Sequence, residues 1–207
     1  MFGNLLLPFI VSPFGRSLKM QNRTIAITKE NILLRPWKET DAPRLAQIAN
    51  NKRIADNLRD GFPFPYSLEH AKQFISSVKD TNPESIVLAI EVNGIVAGSI
   101  GAFFKQDVHR KNAEIGYYLA EEYWGKGVMT KSISALIEFI FNNYDIIRIF
   151  AEPYAKNTGS RKVLEKVGFR LEGVQKCGVI KNGVIEDSCI YAILKEEFSS
   201  ESSELSI

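Results

Sequence analysis

From Ile32 to Leu194 the spacing of apolar residues switches repeatedly between every second position and every third or fourth, which predicts mixed α and β structure. ILLRP (32–36) reads as a first strand, and Asp41 is the expected N-cap of a helix carrying Leu45, Ile48 and Ala49. DGFPFPYS (60–67) is a turn rich in aromatics and proline, after which Ser67 is placed to cap a helix with Ala71, Phe74, Ile75 and Val78. IVLAIEV and IVAGSIGAFF flank Asn93-Gly94, the pair that supplies the positive φ angles of a type I′ hairpin turn. A strand over 113–119 then leads into a long helix with Met129, Ile133, Leu136, Ile137 and Ile140 on one face. IIRIFAE (146–152) is the next strand. The helix holding Val163, Leu164 and Val167 stops at Gly168, and a second hairpin turns at Asn182-Gly183.

No repeat or linker divides this stretch, so the reading is one α/β domain over 29–196. An N-terminal extension (1–28) precedes it and a polar flexible tail (197–207) follows. The apolar opening MFGNLLLPFIVSPF has no basic start and is interrupted by Pro8 and Pro13, which argues against a signal peptide. Met20 is an alternative start. Composition narrows the class: of 207 residues 45% are apolar and 24% charged, the balance of a globular protein. Lys plus Arg (26) barely exceed Asp plus Glu (24), which disfavours a nucleic-acid binder driven by phosphate contacts. No apolar stretch approaches the ~20 residues of a membrane span, and a cytoplasmic location is expected. The two cysteines lack metal-ligand spacing. With Asn182-Gly183 as the turn, Cys177 would face Ser188 while Cys189 points to the opposite face, so two buried unbridged thiols are expected.

The stretch that carries chemistry is EIGYYLAEEYWGKGVMT (114–130), where a strand, a short glycine-containing loop and a helix follow in succession. A helix N-terminus leaves backbone N–H groups unpaired, and Gly125 and Gly127 let an anion approach the chain closely. Lys126 adds a cation and Thr130 a hydroxyl. A tight strand-to-helix turn with a cap explains the same residues without a ligand. A P-loop fails because Ala120 stands where its first glycine belongs and Gly127 where its Ser or Thr belongs. A dinucleotide fingerprint fails because it needs three glycines.

This stretch, followed after one strand by NTGSRKVLEKVGF (157–169), resembles the GNAT superfamily of acetyl-CoA-dependent N-acetyltransferases, with a closer likeness to its ribosomal-protein N-terminal acetyltransferase branch. The order of elements matches from Ile32 to Leu194, and FPFPYSLEHAKQFI resembles the branch's substrate-side helices. The resemblance implies a single GNAT-like domain: a mixed, mostly antiparallel sheet of six or seven strands, splayed at its centre and flanked by about four helices. It places the family's pyrophosphate loop on Trp124 to Met129. Gly127 matches the pattern's glycine, and Trp124 and Met129 depart at its first and last positions. The implied cofactor contacts are the backbone of Gly125, Lys126, Gly127, Val128, Met129 and Thr130 for the pyrophosphate, and Tyr117, Tyr118 and Leu119 for the pantetheine arm. Asn157 would bond a pantetheine amide, and Ser160 would lie near the thioester sulfur. Acetyl-CoA is the implied co-substrate and no metal is implied.

Chemistry adds its own constraints. An amine must be neutral to attack a thioester; a lysine amine of reference pKa ~10.4 needs strong help, and a peptide α-amine near ~8 needs little. The backbone N–H of Leu119 is placed to stabilise an oxyanion, and Ser160 or Tyr154 to protonate the leaving thiolate. Glu114 is the expected base, with pairing to Arg110 or Lys111 as its structural alternative. The acid that some branch members carry on the penultimate strand falls at Val179, leaving Glu186 as a weaker substitute. Arg161 is close enough in sequence to touch a phosphate, although pairing or solvation is the readier account of it and of Arg148. His70 and His109 read as surface or loop residues. Phe62, Phe64 and Tyr66 form an aromatic turn that either fills the core or shapes the acceptor site, with Asp56, Asp60 and Glu69 nearby. The expected activity is direct acetyl transfer to a primary amine, by a monomer or homodimer. The acceptor is a protein N-terminus or a small molecule such as a polyamine, an amino acid or an aminoglycoside, and neither nucleic acid nor membrane is an expected partner. The rival is a non-catalytic acetyl-CoA sensor.

Overall fold

The computed structural model describes residues 24–27, 31–78 and 84–198; the expectations for the apolar opening, for Met20 and for the last nine residues lie outside them. One mixed sheet contains β1 (Ile25–Ile27), β2 (Ile32–Arg35), β3 (Ser85–Val92), β4 (Ile95–Phe104), β5 (Asn112–Leu119), β6 (Arg148–Ala151), β7 (Arg170–Lys181) and β8 (Val184–Leu194). The order across the sheet is β1-β2-β3-β4-β5-β6-β8-β7. All pairings are antiparallel except β5 with β6. The helices are α1 (Ala42–Ala49), α2 (Lys52–Ala55), α3 (Leu68–Val78), α4 (Val128–Asn143) and α5 (Thr158–Val167), with a last helical turn over 195–198.

Eight strands replace the expected six or seven, because Ile25 to Ile27 pair with β2 although they lie in the segment read as an extension. Three alternating residues are too few to register as a strand on periodicity. The helix count also exceeds four: α2 and the final turn are too short to show a 3.6-residue period.

Both hairpin turns form at the expected pairs, with φ of 52° and 80° at Asn93-Gly94 and 52° and 77° at Asn182-Gly183. Gly168 ends α5 in the left-handed region at φ 101°. Ser67 caps α3, its hydroxyl accepting from the His70 N–H at 3.1 Å. Asp41 occupies the N-cap position of α1 but bonds none of that helix's N–H groups, accepting from the Lys38 N–H at 2.8 Å. Its carboxylate instead takes both Arg35 Nη atoms at 2.7 and 2.9 Å, while Arg35 Nε reaches Glu91 at 2.6 Å. Asp41 holds the buried guanidinium in its charged form, offsetting the cost of desolvating it.

The sheet is covered on both faces. One holds Ile100, Ile115, Leu119, Ile133, Leu136, Ile137, Ile140 and Leu164 under α4 and α5; the other holds Leu45, Ile75, Ala89, Val96 and Ala120 under α1 and α3. Each fully buried Leu or Ile contributes about 1.5–3 kcal/mol. Strand β4 is buried from Val96 to Ala102, which explains its unbroken apolar run.

The β7–β8 register corrects the expectation for the cysteines. Gln175 faces Ser188 and Val179 faces Glu186, with a bulge between that puts Cys177 at φ 52°. Cys177 is exposed, Cys189 is buried, and both are free thiols.

At the top of β4 a Cβ on Gly98 would meet Tyr118 O at 2.3 Å and Leu119 Cα at 3.0 Å. Gly98→Ala therefore forces β4 and β5 apart. Its expected cost is about 1–3 kcal/mol in urea denaturation, whereas Gly61→Ala, at a position with nothing within 4 Å, changes stability little.

Candidate active site

Strands β5 and β6 pair over only three positions, Asn112 with Arg148, Ala113 with Ile149 and Glu114 with Phe150. Beyond Glu114, β5 stays paired with β4 as far as Leu119 opposite Gly98, and its other edge opens into a splay. The Ala120 N–H donates to Ala97 O at 2.7 Å, on the β4 side. Alternation along the strand therefore turns the backbone groups of Leu119 and Tyr117 toward the splay. The Leu119 carbonyl accepts from Trp124 Nε1 at 2.7 Å, pinning the following loop, and its N–H faces the gap.

That loop reaches α4 through two left-handed glycines, Gly125 at φ 73° and Gly127 at φ 76°. The first backbone bond at the α4 start runs from the Lys131 N–H to Gly127 O at 3.2 Å, so the N–H groups of Val128, Met129 and Thr130 point out of the helix end. Space beside the glycines is open: a Cβ on Gly125 would meet nothing within 4 Å, and one on Gly127 only the Lys131 tip at 3.8 Å. The side chains of Val128 and Met129 are buried and anchor the helix end, leaving only their backbone to a ligand. Lys126 Nζ sits 5.9 Å from the Tyr123 ring centroid.

The other wall of the splay is the start of α5. Asn157 caps this helix, its Oδ1 accepting from the Ser160 N–H at 3.1 Å. The Ser160 and Tyr117 hydroxyls bond across the mouth at 2.8 Å. Burial pushes the Tyr117 phenol upward, so it stays protonated. Tyr118 points to the opposite face, where its ring meets Phe62 at 5.4 Å and its buried hydroxyl has no partner among the described residues. Phe62 also stacks on Tyr66 at 4.9 Å, while Phe64 is exposed. Burial pushes the Tyr66 phenol up to about 12.

On that face Glu114 has different neighbours from those expected. It pairs with Lys105 at 2.6 Å and with Arg59, not with Arg110 or Lys111. Arg59 also reaches Glu152 at 3.5 Å. Each Glu114 oxygen therefore already has a cation partner. Arg59 and Lys105 were missed by sequence reasoning, and nothing in their spacing places residue 59 beside residue 114. Further along, the Tyr154 hydroxyl donates to Leu58 O at 3.2 Å, Lys181 meets Asp60 at 2.8 Å and Asn182 meets Asp56 at 2.8 Å. These contacts fasten the β7–β8 hairpin tip to the turn after α2. Arg161 bonds the Tyr191 hydroxyl and the Ala155 carbonyl, and Arg148 pairs with Glu172. His109 is exposed, and His70 Nδ1 accepts from the Ser67 N–H.

A strand edge that opens beside helix-end amides, with hydroxyls meeting across the gap, is the architecture of an acyl-CoA-dependent transferase. The chain belongs to the GNAT acetyltransferases: the acetyltransferase (GNAT) domain family matches residues 31–170. It is 30% identical over 186 residues to the "Putative ribosomal N-acetyltransferase YdaF" of Bacillus subtilis (strain 168), covering 83% of this chain and 96% of that protein. The microcin C7 self-immunity acetyltransferase MccE, solved in complex with acetyl-CoA and AMP, superposes with a TM-score of 0.72 at 26% identity over 79% of this chain and 92% of MccE. RimJ of Mycobacterium smegmatis, solved with a CoA disulfide, gives 0.73 at 25% identity, covering 80% of this chain and 83% of RimJ. The protein is an acetyl-CoA-dependent acetyltransferase.

The raised phenols set the alkaline limit of the fold. Tyr66, Tyr117 and Tyr118 hold their protons in the folded state at a pH where the unfolded chain loses them. Their contribution is complete below the ordinary phenol value of about 10 and is lost as pH rises above it. The urea midpoint is expected to fall above about pH 10 for this reason, and Tyr118→Phe to make that fall shallower.

Proposed function

We propose that the protein acetylates the α-amine of a polypeptide N-terminus. The observation that carries this reading is the pairing of the acceptor-side carboxylates: Glu114 with Lys105 and Arg59, Glu186 with Lys156, Asp60 with Lys181 and Asp56 with Lys52. A cleft so neutralised gives little attraction to a polyamine or aminoglycoside. An α-amine near ~8 is already partly neutral at physiological pH and needs little help. The likeness to RimL, a ribosomal L7/L12 alpha-N-protein acetyltransferase at 26% identity, supports the same acceptor class.

In this reading acetyl-CoA supplies an activated acetyl thioester, and the chain's residues bind and orient it. The amides of Gly125 to Thr130 take the pyrophosphate at the positive end of α4, with Lys126 beside them. The splay-facing backbone of Tyr117 takes the amides of the pantetheine arm as a further strand would, which leaves the Leu119 N–H for the acetyl group. Tyr118 contributes backbone only on the β4 side, since its side chain lies under Phe62. Asn157 spends its Oδ1 on the α5 cap, which leaves its amide nitrogen for the arm. The Leu119 N–H is placed to stabilise oxyanion charge on the acetyl group. Ser160, bonded to the protonated Tyr117, is better placed to donate a proton to the departing sulfur than Tyr154, whose hydroxyl is already given to Leu58 O. Glu114 fixes Arg59 and Lys105 at the edge of the acceptor side.

Thiol release with acetyl-CoA is expected to be faster on N-terminal peptides than on spermidine or an aminoglycoside by at least about tenfold in kcat/KM. A preference for a polyamine overturns the peptide reading. Gly127→Ala, which forces a Cβ into the left-handed region at a cost of about 1–2 kcal/mol, is expected to weaken acetyl-CoA binding about tenfold in calorimetry.

A further inference from the structure

Beyond Glu114 the splay-side edge of β5 is no longer paired with β6, yet its last carbonyl is held there by a side chain. Trp124 Nε1 donates to Leu119 O at 2.7 Å. On the β4 side the Ala120 N–H donates to Ala97 O, also at 2.7 Å. The planar peptide between Leu119 and Ala120 is therefore bonded at both ends. The Leu119 N–H belongs to the peptide before it, so the two dihedrals of Leu119 alone relate its direction to that fixed plane. The indole is held in its turn from a distant part of the chain. Arg53 of α2 lays its guanidinium 4.8 Å from the centroid of the Trp124 ring and pairs with Glu121, sixty-eight positions away. Asn51, the N-cap of α2, donates to the other Glu121 oxygen at 2.8 Å and accepts from the Arg53 N–H at 2.8 Å. Glu122, in the same turn (Glu121–Tyr123), is taken by Arg44 of α1, whose Nε also reaches Val96 O at 3.0 Å. Trp124 stays 37% exposed, so burial contributes little to fixing it; a hydrogen bond at its edge and a cation on its face do.

We propose that Trp124 is a positioning residue for acetyl transfer: its indole N–H holds the end of β5 so that the Leu119 N–H stays aimed at the acetyl carbonyl, and Arg53 acts through Trp124. The role rests on the reading of Leu119 as the oxyanion donor and does not depend on which amine is the acceptor. Such a donor works by pointing at the place where charge develops, so a small tilt lowers the rate without lowering affinity. Affinity for the pyrophosphate resides elsewhere, in the amides at the start of α4, which the buried side chains of Val128 and Met129 anchor independently of Trp124.

The test uses the full chain with whichever amine the wild type acetylates best. Trp124→Phe keeps a ring under Arg53 and removes the N–H. It is expected to lower kcat about tenfold while the acetyl-CoA Kd and the acceptor KM each move less than about twofold. Arg53→Ala, at an exposed position, is expected to lower kcat about threefold, and the double variant to be no slower than Trp124→Phe alone. Amide exchange in the acetyl-CoA complex reads the aim directly. Leu119 is expected to be protected in the wild type and to lose that protection in Trp124→Phe, with Val128 to Thr130 still protected. An unchanged kcat, an equal loss of acetyl-CoA affinity, or additive losses in the double variant overturn the proposal. Leu119 protected equally in the wild type and in Trp124→Phe overturns it alone, whereas no protection of Leu119 in the wild type overturns the oxyanion reading and this role with it. If Trp124→Phe unfolds, Arg53→Ala is read by the same constants and the same exchange.

Discussion

The short parallel ladder between β5 and β6 is the constraint on which the rest of the structure depends. Three residue pairs hold the two strands together, and the chain then parts them on purpose-built supports. On one side β5 continues against β4, locked at a point where glycine alone fits between the strands. On the other side β6 ends after four residues, and the chain crosses to β8 through a single bridge at Tyr154 before entering α5. An unpaired strand edge inside a protein costs free energy unless something completes it. Here the open edge leads directly to the free amides at the start of α4, so the same ligand that completes the strand also meets a helix end suited to phosphate.

The two faces of the sheet divide the labour. The odd-numbered residues of β5 point to the face under α4 and α5, where Tyr117 meets Ser160 across the mouth. The even-numbered residues, Glu114 and Tyr118, point toward α1, α3 and the aromatic turn. Period-two alternation along one strand thus sends Tyr117 and Tyr118 to opposite faces of the sheet. The hairpin of β7 and β8 is fastened to the turn after α2 by contacts that span more than a hundred residues of sequence, Lys181 to Asp60 and Asn182 to Asp56. Because Lys181 is buried while Asp60 is exposed, this contact stabilises the hairpin mainly by satisfying the lysine.

Local chemistry was legible in the sequence wherever it is decided by neighbours in the chain. The Asn-Gly turns, the Gly168 stop, the Ser67 cap and the Gly125/Gly127 approach to α4 all follow from backbone conformations that few other residues adopt. The splay was reached through the family resemblance, whereas the α4 amides follow from the loop residues themselves, and the pairing register agrees with that geometry. Contacts decided by the fold as a whole were not legible. Arg59 reaches Glu114 across fifty-five positions, and Asp41 turns its carboxylate to the buried Arg35 guanidinium, which takes a bidentate partner, and to the Lys38 N–H rather than to the α1 amides. Cys177 left its expected register because it lies in a bulge between Gln175 and Val179, beyond the three pairs next to the turn that keep theirs.

The central claim is that the splay-facing edge of β5 and the start of α4 bind acetyl-CoA as one continuous backbone surface. Amide hydrogen exchange followed residue by residue, with and without acetyl-CoA, tests it directly. The account predicts slowed exchange at Leu119, Tyr117 and Val128 to Thr130, with Tyr118 and Ala120, already turned toward β4, changing little. Protection that appears elsewhere, or that falls equally on both edges of β5, contradicts it.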